Sequence, residues 1–260
     1  MIPQQCITEW KLSHAWQHDE QVEQDLLLSQ AICEISNNQL LGNELVFRGG
    51  TAFHKLFLTK PYRYSEDLDY VRKSAGGIGP ITKELTELGR DLGFRVNTKM
   101  GMYPKVIWKF EYNSGIPGKI KIEINTYERS PVFPLQQKPY AVNSSYYQAE
   151  ASVQTFQIEE LIASKLRALY QRSKGRDLFD IWLALTELEL EPLRILEAFP
   201  AYLPEKVTAE KMITNLEDKL SNKGFCSDMD NLMRNNGLNY DPKVAGRLVI
   251  DELLSKLEGM

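Results

Sequence analysis

The chain has 260 residues, of which 43% are hydrophobic and 25% charged, as expected of a globular protein with a substantial core. Its net charge of -4 and pI of about 5.6 exclude a chain-wide excess of positive charge, so any nucleic-acid binding requires a local basic patch. Three cysteines, scattered and odd in number, indicate no disulfide framework and do not pair with the three histidines at zinc-ligand spacing.

The sequence contains no pattern typical of secretion or membrane insertion. The first residues lack a basic segment followed by an apolar one, and no apolar run approaches the roughly 18 residues of a spanning helix. We therefore expect a cytoplasmic protein without a membrane partner.

Hydrophobic periodicity predicts a mixed first half of the chain. Alternation of period 2 indicates strands and spacing of 3.6 indicates helices. The predicted elements are a helix over 21–41, a strand over 44–47, a helix from Thr51, a strand over 65–71, a helix over 80–93, and strands over 94–98, 105–112 and 119–126. The looser segment 130–151, which contains Pro and Gln, is interpreted as a linker.

From Ile158 onward the periodicity is helical throughout. Predicted helices cover 158–172, 177–189, 193–200, 205–220, 225–235 and 242–257. We therefore predict an α+β chain, with a mixed-sheet domain over 1–150 and an all-helical domain over 151–260.

A pair of aspartates, Asp67 and Asp69, lies in the strand predicted over 65–71. Residues two apart in a strand point to the same face, so both carboxylates should project together. Two adjacent carboxylates repel each other unless a cation lies between them, and oxygen ligands suit Mg²⁺ or Mn²⁺. The pair is a candidate metal site, and its alternative is a solvated acidic strand end.

Two further features fit this pair. Gly49, Gly50 and Thr51 form a predicted turn into a helix capped by Thr51, where backbone N–H groups can bind phosphate; an ordinary capped turn is the alternative. In the strand over 119–125, isoleucines alternate with polar residues, so Glu123 completes an acidic triad if this strand lies beside the aspartates. Its alternative is an exposed strand charge.

Four segments together resemble the AbiEii/AbiGii toxin family, over roughly residues 40 to 190. They are Phe47-Arg-Gly-Gly-Thr-Ala-Phe-His-Lys55, Arg63-Tyr-Ser-Glu-Asp-Leu-Asp69, Glu159-Glu-Leu-Ile-Ala-Ser-Lys165 and Gly175-Arg-Asp-Leu-Phe-Asp180. That family belongs to the nucleotidyltransferase superfamily that includes DNA polymerase β, and its members are the toxins of type IV toxin–antitoxin and abortive-infection systems. The resemblance implies a nucleotidyltransferase fold with a mixed sheet and a helical domain closing the active-site cleft.

The resemblance also implies roles for individual residues. Gly50 and Thr51 match the motif that contacts the triphosphate, with Gly49 and Lys55 beside them as further nucleotide-binding candidates. The metal-binding pair corresponds to Asp67 and Asp69, and Glu123 falls where the superfamily has its third carboxylate. Lys165 matches the lysine that contacts the nucleotide, and Asp177 matches the aspartate of the last motif.

Residues 165–177 support this assignment independently. Lys165 falls within an apolar helical face, where a lysine must bind an anion, pair with an acid or extend to the edge. Asp177 borders the buried stripe of the next helix, whereas Asp180 is predicted to point further away; a role at the helix N-terminus is the alternative for Asp177. Five cations lie within residues 165–176, the strongest basic patch apparent in the sequence, and Arg176 is a candidate contact for triphosphate or RNA.

We therefore predict that the chain transfers a nucleoside monophosphate from an NTP to an RNA, with the 3′ end of tRNA as the leading acceptor, in a reaction dependent on Mg²⁺ or Mn²⁺. By resemblance, the outcome is blocked translation, and the partner is a cognate antitoxin that forms no stable complex. One alternative is transfer to a protein or small molecule, which the modest net charge favours. Another is a nucleotide-binding regulator without catalysis, which the intact aspartate pair disfavours.

Overall fold

The computed structural model describes residues 2–60, 62–233 and 238–259. The chain divides into two compact units, Met1–Phe156 and Gln157–Met260. The first combines a mixed sheet with helices and the second is built from helices, which confirms the predicted α+β class. Within the described residues no helix has the length and apolarity needed to cross a membrane.

The strands of the first unit form one sheet in the described residues. They are β1 (Leu45–Arg48), β2 (Asp67–Arg72), β3 (Arg95–Lys99), β4 (Lys105–Glu111), β5 (Pro117–Asn125), β6 (Gln136–Asn143) and β7 (Gln148–Thr155). Their spatial order is β3-β4-β5-β2-β1-β7-β6. The pairs β2–β5 and β1–β7 are parallel and the other neighbours antiparallel, so the sheet is mixed.

The first unit has five helices in its described residues, of which the last four pack on this sheet and the first packs on the second. They are α1 (Gln4–Ser13), α2 (Asp19–Asn37), α3 (Gln39–Glu44), α4 (Gly49–Leu56) and α5 (Gly79–Asp91). α4 follows β1 directly, and its contacts with β2 bring the glycine turn to the strand that carries the aspartates. The helix predicted over 21–41 is divided into α2 and α3 in the structure. The sequence pattern did not predict α1.

The interpretation of segment 130–151 as a linker is wrong, because it contains β6 and the start of β7, which pair as an antiparallel hairpin. β6 lies at the edge of the sheet, where Pro139 is tolerated because no further strand needs its missing N–H. Of its four inward-facing residues three are half-buried and Val142 alone is buried, so the hydrophobic alternation that identifies a strand is weak.

Thr51 does not cap α4, contrary to the prediction. The helix begins at Gly49, two residues earlier, with Arg48 in extended conformation at the N-cap position. The Thr51 hydroxyl instead donates to the backbone carbonyl of Asp67 at 2.5 Å and hydrogen-bonds with Ser65 Oγ at 2.9 Å. Thr51 is buried and joins the first turn of α4 to the start of β2.

The second unit consists of α6 (Ile158–Gln171), α7 (Gly175–Thr186), α8 (Pro192–Ala198), α9 (Ala209–Leu220), α10 (Lys223–Cys226) and α11 (Pro242–Glu252), with short 3-10 segments at Phe199–Ala201 and Leu254–Gly259. α7 is central, because it packs against both α6 and α11. The helix predicted over 225–235 is wrong: α10 ends at Cys226, turns follow, and residues 234 and 235 lie outside the described residues.

Candidate active site

Asp67 and Asp69 project from the same face of β2. Both are partly exposed, whereas Leu68 and Tyr70 between and after them are buried on the opposite face. The period of two that the sequence predicted is therefore confirmed. The pair lies at the start of β2, next to the turn between β1 and α4.

Glu123 reaches the same face from the neighbouring strand. β5 pairs with β2 in parallel, and the register places Glu123 opposite Asp69 and Lys121 opposite Asp67. The strand adjacency that the acidic triad requires is thus present. Partial burial, together with the negative charges of Asp67 and Glu123, raises the pKa of Asp69 despite opposing positive charges from Arg48 and Lys121.

Two lysines neutralise part of this negative charge. Lys121 Nζ lies 2.8 Å from Asp67 Oδ2, and Lys105 Nζ, from β4, lies 2.9 Å from Glu123 Oε2. Among the described residues, no ion pair engages Asp69. Lys105 is not predictable from local sequence, because its position opposite Glu123 depends on the pairing of β4 with β5.

The three carboxylates fit a divalent cation by their chemistry. They supply oxygen ligands on one face of adjacent strands, and the raised pKa of Asp69 reflects negative charge that a cation would relieve. In the arrangement observed, Lys121 pairs with Asp67 and Lys105 pairs with Glu123, and the described part of the chain contains no group of three or more His, Cys, Asp or Glu side chains positioned to hold a metal ion. A cation at this face would therefore compete with Lys121 and Lys105 for these carboxylates.

The glycine turn lies against the aspartates. Gly49 has a φ of +81°, and a Cβ there would come within 2.4 Å of Asp69 Oδ2. At Gly50 a Cβ would come within 2.4 Å of the guanidinium of Arg63, which is itself buried. Close approach thus restricts the side chain at both positions, and at Gly49 the backbone conformation also favours glycine. Arg63, which is not among the predicted site residues, is a buried cation beside the turn.

Lys55, a candidate nucleotide contact, is engaged elsewhere. Its Nζ lies 2.8 Å from the carboxylate of Asp25 and 3.0 Å from Ser29 Oγ, both on α2. Trp10 Nε1 also donates to Asp25, at 2.9 Å. These residues form a buried network between helices of the first unit, a structural role that the family motif alone does not indicate.

Lys165, in the second unit, forms a buried ion pair with Asp180. The Nζ to Oδ2 distance is 2.5 Å, and the side chains are 7% and 0% exposed. The prediction that Asp180 points away from the buried stripe is therefore wrong. α7 is covered by α6 on one side and α11 on another, so its buried surface is wider than a single hydrophobic stripe.

Asp177 is also buried and is held by Arg172, whose Nε and Nη2 donate to its two carboxylate oxygens at 2.7 and 2.8 Å. The Arg176 side chain is partly exposed, and its backbone N–H donates to Asp228 at 3.1 Å. The basic cluster over 165–176 thus has two of its cations paired with acids of α7, Lys165 with Asp180 and Arg172 with Asp177.

A family model described as the nucleotidyl transferase AbiEii toxin of a type IV toxin–antitoxin system matches residues 31–245. No curated protein matches the chain. MenT4, a nucleotidyltransferase toxin from Mycobacterium tuberculosis H37Rv, is similar over 99% of both chains, with a TM-score of 0.53 and 16% identity. An antigenic nucleotidyltransferase-like protein from Paracoccidioides brasiliensis is similar over 78% of this chain and 88% of its own, with a TM-score of 0.40 and 17% identity.

Proposed function

The chain belongs to the AbiEii family of type IV toxin–antitoxin nucleotidyltransferases, and we propose that it transfers a nucleoside monophosphate from an NTP to a hydroxyl of RNA, with the tRNA 3′ end as the leading acceptor. The observation that carries the proposal is the register that sets Asp69 of β2 opposite Glu123 of β5, with Asp67 on the same face. Nucleotidyl transfer needs carboxylates grouped in this way beside a phosphate-binding turn.

The proposed reaction is an in-line displacement. The acceptor hydroxyl oxygen bonds to the α-phosphorus of the NTP, the bond from that phosphorus to the oxygen bridging the β-phosphate breaks, and pyrophosphate leaves. Glu123 takes the hydroxyl proton once Lys105 has released its carboxylate. Asp67, Asp69 and Glu123 would hold Mg²⁺ or Mn²⁺, which would supply positive charge to offset the negative charge of the transition state.

The turn between β1 and α4 is the proposed phosphate-binding element. Glycines at positions 49 and 50 let the backbone approach a triphosphate, and the first turn of α4 offers N–H groups and the positive end of its dipole. The hydroxyl of Thr51 holds this turn against β2 through its hydrogen bond to the backbone carbonyl of Asp67. We therefore propose that Thr51 positions the turn and does not contact the triphosphate directly. Through the family resemblance, Lys165, Asp177 and Arg176 are proposed to contribute nucleotide contacts.

At the level of the cell, we expect the toxin to act in the cytoplasm, to block translation by modifying its RNA acceptor, and to be counteracted by an antitoxin without a stable complex. This expectation rests on family membership. Transfer to a protein is the second candidate, because the net charge of -4 provides little overall attraction for RNA.

The test is transfer from each of the four α-³²P-labelled NTPs into total cellular RNA and protein, with Mg²⁺, with Mn²⁺ or with EDTA. The control is the Asp67→Ala, Asp69→Ala double variant. Label in a tRNA-sized band that is lost with EDTA and in the variant supports the proposal and identifies the base. Label in protein would support the second candidate, and no transfer to any acceptor would contradict both.

A further inference from the structure

The exposed face of strands β3, β4 and β5 carries a row of three cations. The strand register places Arg95 opposite Lys109, and Lys109 opposite Lys119. Residues paired across strands point to the same side of the sheet, and all three side chains are exposed. We call these three residues the cationic row.

The cationic row lies on the same face as the acidic triad. Lys119, Lys121 and Glu123 alternate along β5, so the row is four residues from Glu123, roughly 13 Å at the rise of a strand. An open groove of about 770 Å³ runs along this face from the row to Asp67. Its lining includes all three cations of the row and also Glu66, an exposed acid.

The cationic row should lower the stability of the sheet in the isolated chain. Like charges directly opposite each other on neighbouring strands destabilise the sheet, and here three follow one another. Among the described residues no ion pair engages Arg95, Lys109 or Lys119, whereas Lys121 and Lys105 on the same face both pair with the triad. An anionic partner that spans three strands would relieve this repulsion.

We propose that the cationic row binds the sugar–phosphate backbone of the single-stranded 3′ segment of the RNA acceptor and leads its terminal hydroxyl along the groove toward the acidic triad. This inference rests on the proposed function, whose acceptor site it locates. Regularly spaced phosphates match a row of cations, and the groove extends from this row to Asp67, the first carboxylate of the acidic triad. Two exposed tyrosines near the other end of these strands, Tyr103 and Tyr127, meet edge to face at 6.2 Å and offer surfaces on which bases can stack.

This surface is a stronger basic patch than the cluster over 165–176, contrary to the expectation from sequence. Its cations come from three strands and lie side by side through cross-strand pairing, whereas three of the five cations of the cluster, Lys165, Arg172 and Lys174, pair with acids. The signal in the sequence is a cation at an outward position of each strand, which becomes informative once the register is known.

The test measures binding of a fluorescent single-stranded oligoribonucleotide by anisotropy, without NTP and over a range of salt concentrations. The variant is Arg95→Ala, Lys109→Ala, Lys119→Ala, and the matched control is Lys83→Ala, Lys211→Ala, Lys243→Ala, which removes three exposed cations at other places. Loss of three phosphate contacts should weaken binding at least about tenfold at low salt, and the slope of log K against log salt should become shallower by about 2. The control variant should match the unmodified protein both in its affinity at low salt and in the slope of log K against log salt.

An unmodified protein that binds no oligoribonucleotide, or equal losses in the two triple variants, would overturn the inference. NTP affinity of the row variant, measured by calorimetry, should equal that of the unmodified protein, and a parallel loss would also count against it. RNA bound through this row while label from NTP enters protein would contradict the proposed acceptor and leave the binding surface standing. RNA labelled equally well by the row variant would contradict the surface alone.

Discussion

Gly49 lies directly against Asp69, so that a Cβ at position 49 would sit 2.4 Å from Asp69 Oδ2. The backbone at Gly49 has a φ of +81°, a conformation that residues with a Cβ rarely adopt. Gly49 therefore links the proposed phosphate-binding turn to the proposed metal-binding carboxylate. A larger residue at this position is opposed both by the backbone conformation and by the lack of space.

Gly49→Ala should therefore lose both stability and activity. The unfavourable φ should cost about 1–2 kcal/mol in the free energy of unfolding, and displacement of Asp69 should reduce nucleotidyl transfer by about a hundredfold. Gly93→Ala is the matched control, because Gly93 has a similar φ of +87° with nothing within 4 Å of a Cβ. It should lose similar stability and keep its activity. Urea denaturation and the labelled-NTP assay measure the two effects, and equal activity in the two variants would argue against the role of this contact.

Lys121→Met should increase the response of the protein to divalent cations. In the absence of metal the variant should be less stable than the unmodified protein, because Asp67 loses its ion pair beside Asp69. Because the cation then competes with no ammonium group, addition of Mg²⁺ or Mn²⁺ should raise its Tm by several degrees more than that of the unmodified protein. Thermal unfolding with and without metal provides the measurement.

The control for this experiment is Lys119→Met, which removes an exposed cation of the same strand without an ion pair. Its Tm should respond to metal like that of the unmodified protein. Asp69→Asn should respond least, because it removes a proposed ligand. If Mg²⁺ and Mn²⁺ leave the Tm of all four proteins unchanged, the acidic triad does not bind these ions in the free protein.

Local periodicity was sufficient to predict the elements that position the site. The residue alternation within β2 is enough to predict that Asp67 and Asp69 share one face of the strand. In the same way, the alternation within β5 predicts that Glu123 lies on the outward face. What sequence could not provide is the register between strands. That Glu123 faces Asp69, and that Lys105 faces Glu123, depends on pairings between segments distant along the chain.

The wrong predictions have the same physical origin. The polar hairpin of β6 and β7 has weak alternation because β6 lies at the sheet edge, so composition suggested a linker. A single apolar stripe on α7 predicts that Asp180 points away from the core, whereas two helices pack on α7. In both segments, tertiary packing decides what a side chain contacts, and this information is absent from the local pattern.

The ion pair between Asp25 and Lys55 should make stability depend on pH. Burial opposes the charge of Asp25, but Lys55, His14 and the hydrogen bonds to Asp25 hold its pKa below the ordinary value. A carboxyl with a lowered pKa adds stability above its unfolded pKa of about 3.9, and this stability is lost as the pH falls through the folded pKa. Burial likewise opposes the charge of Lys55, but Asp25 raises its pKa, so the lysine contributes below about pH 10.

Asp25→Asn should accordingly lower the free energy of unfolding by about 3–5 kcal/mol at pH 7, because Lys55 is left buried without its partner. The difference from the unmodified protein should shrink as the pH falls below about 4. Asp19→Asn is the control, since its pair with Lys11 is exposed and should contribute under about 1 kcal/mol. Urea denaturation between pH 3 and 7 tests this, and a constant difference across that range would contradict it.

The pair of Lys165 with Asp180 allows a structural role and a nucleotide-binding role to be separated. Lys165→Met should cost about 3–5 kcal/mol, because it leaves Asp180 charged and fully buried. Lys165→Met combined with Asp180→Leu removes both charges and should recover most of that stability. If Lys165 contacts the nucleotide, as family membership suggests, the double variant should fold yet bind NTP and transfer nucleotide at least about tenfold less well. Denaturation, calorimetry with NTP and the labelling assay distinguish the two roles, with exposed Lys211→Met as control. Recovery of NTP binding together with stability would assign Lys165 to the fold alone.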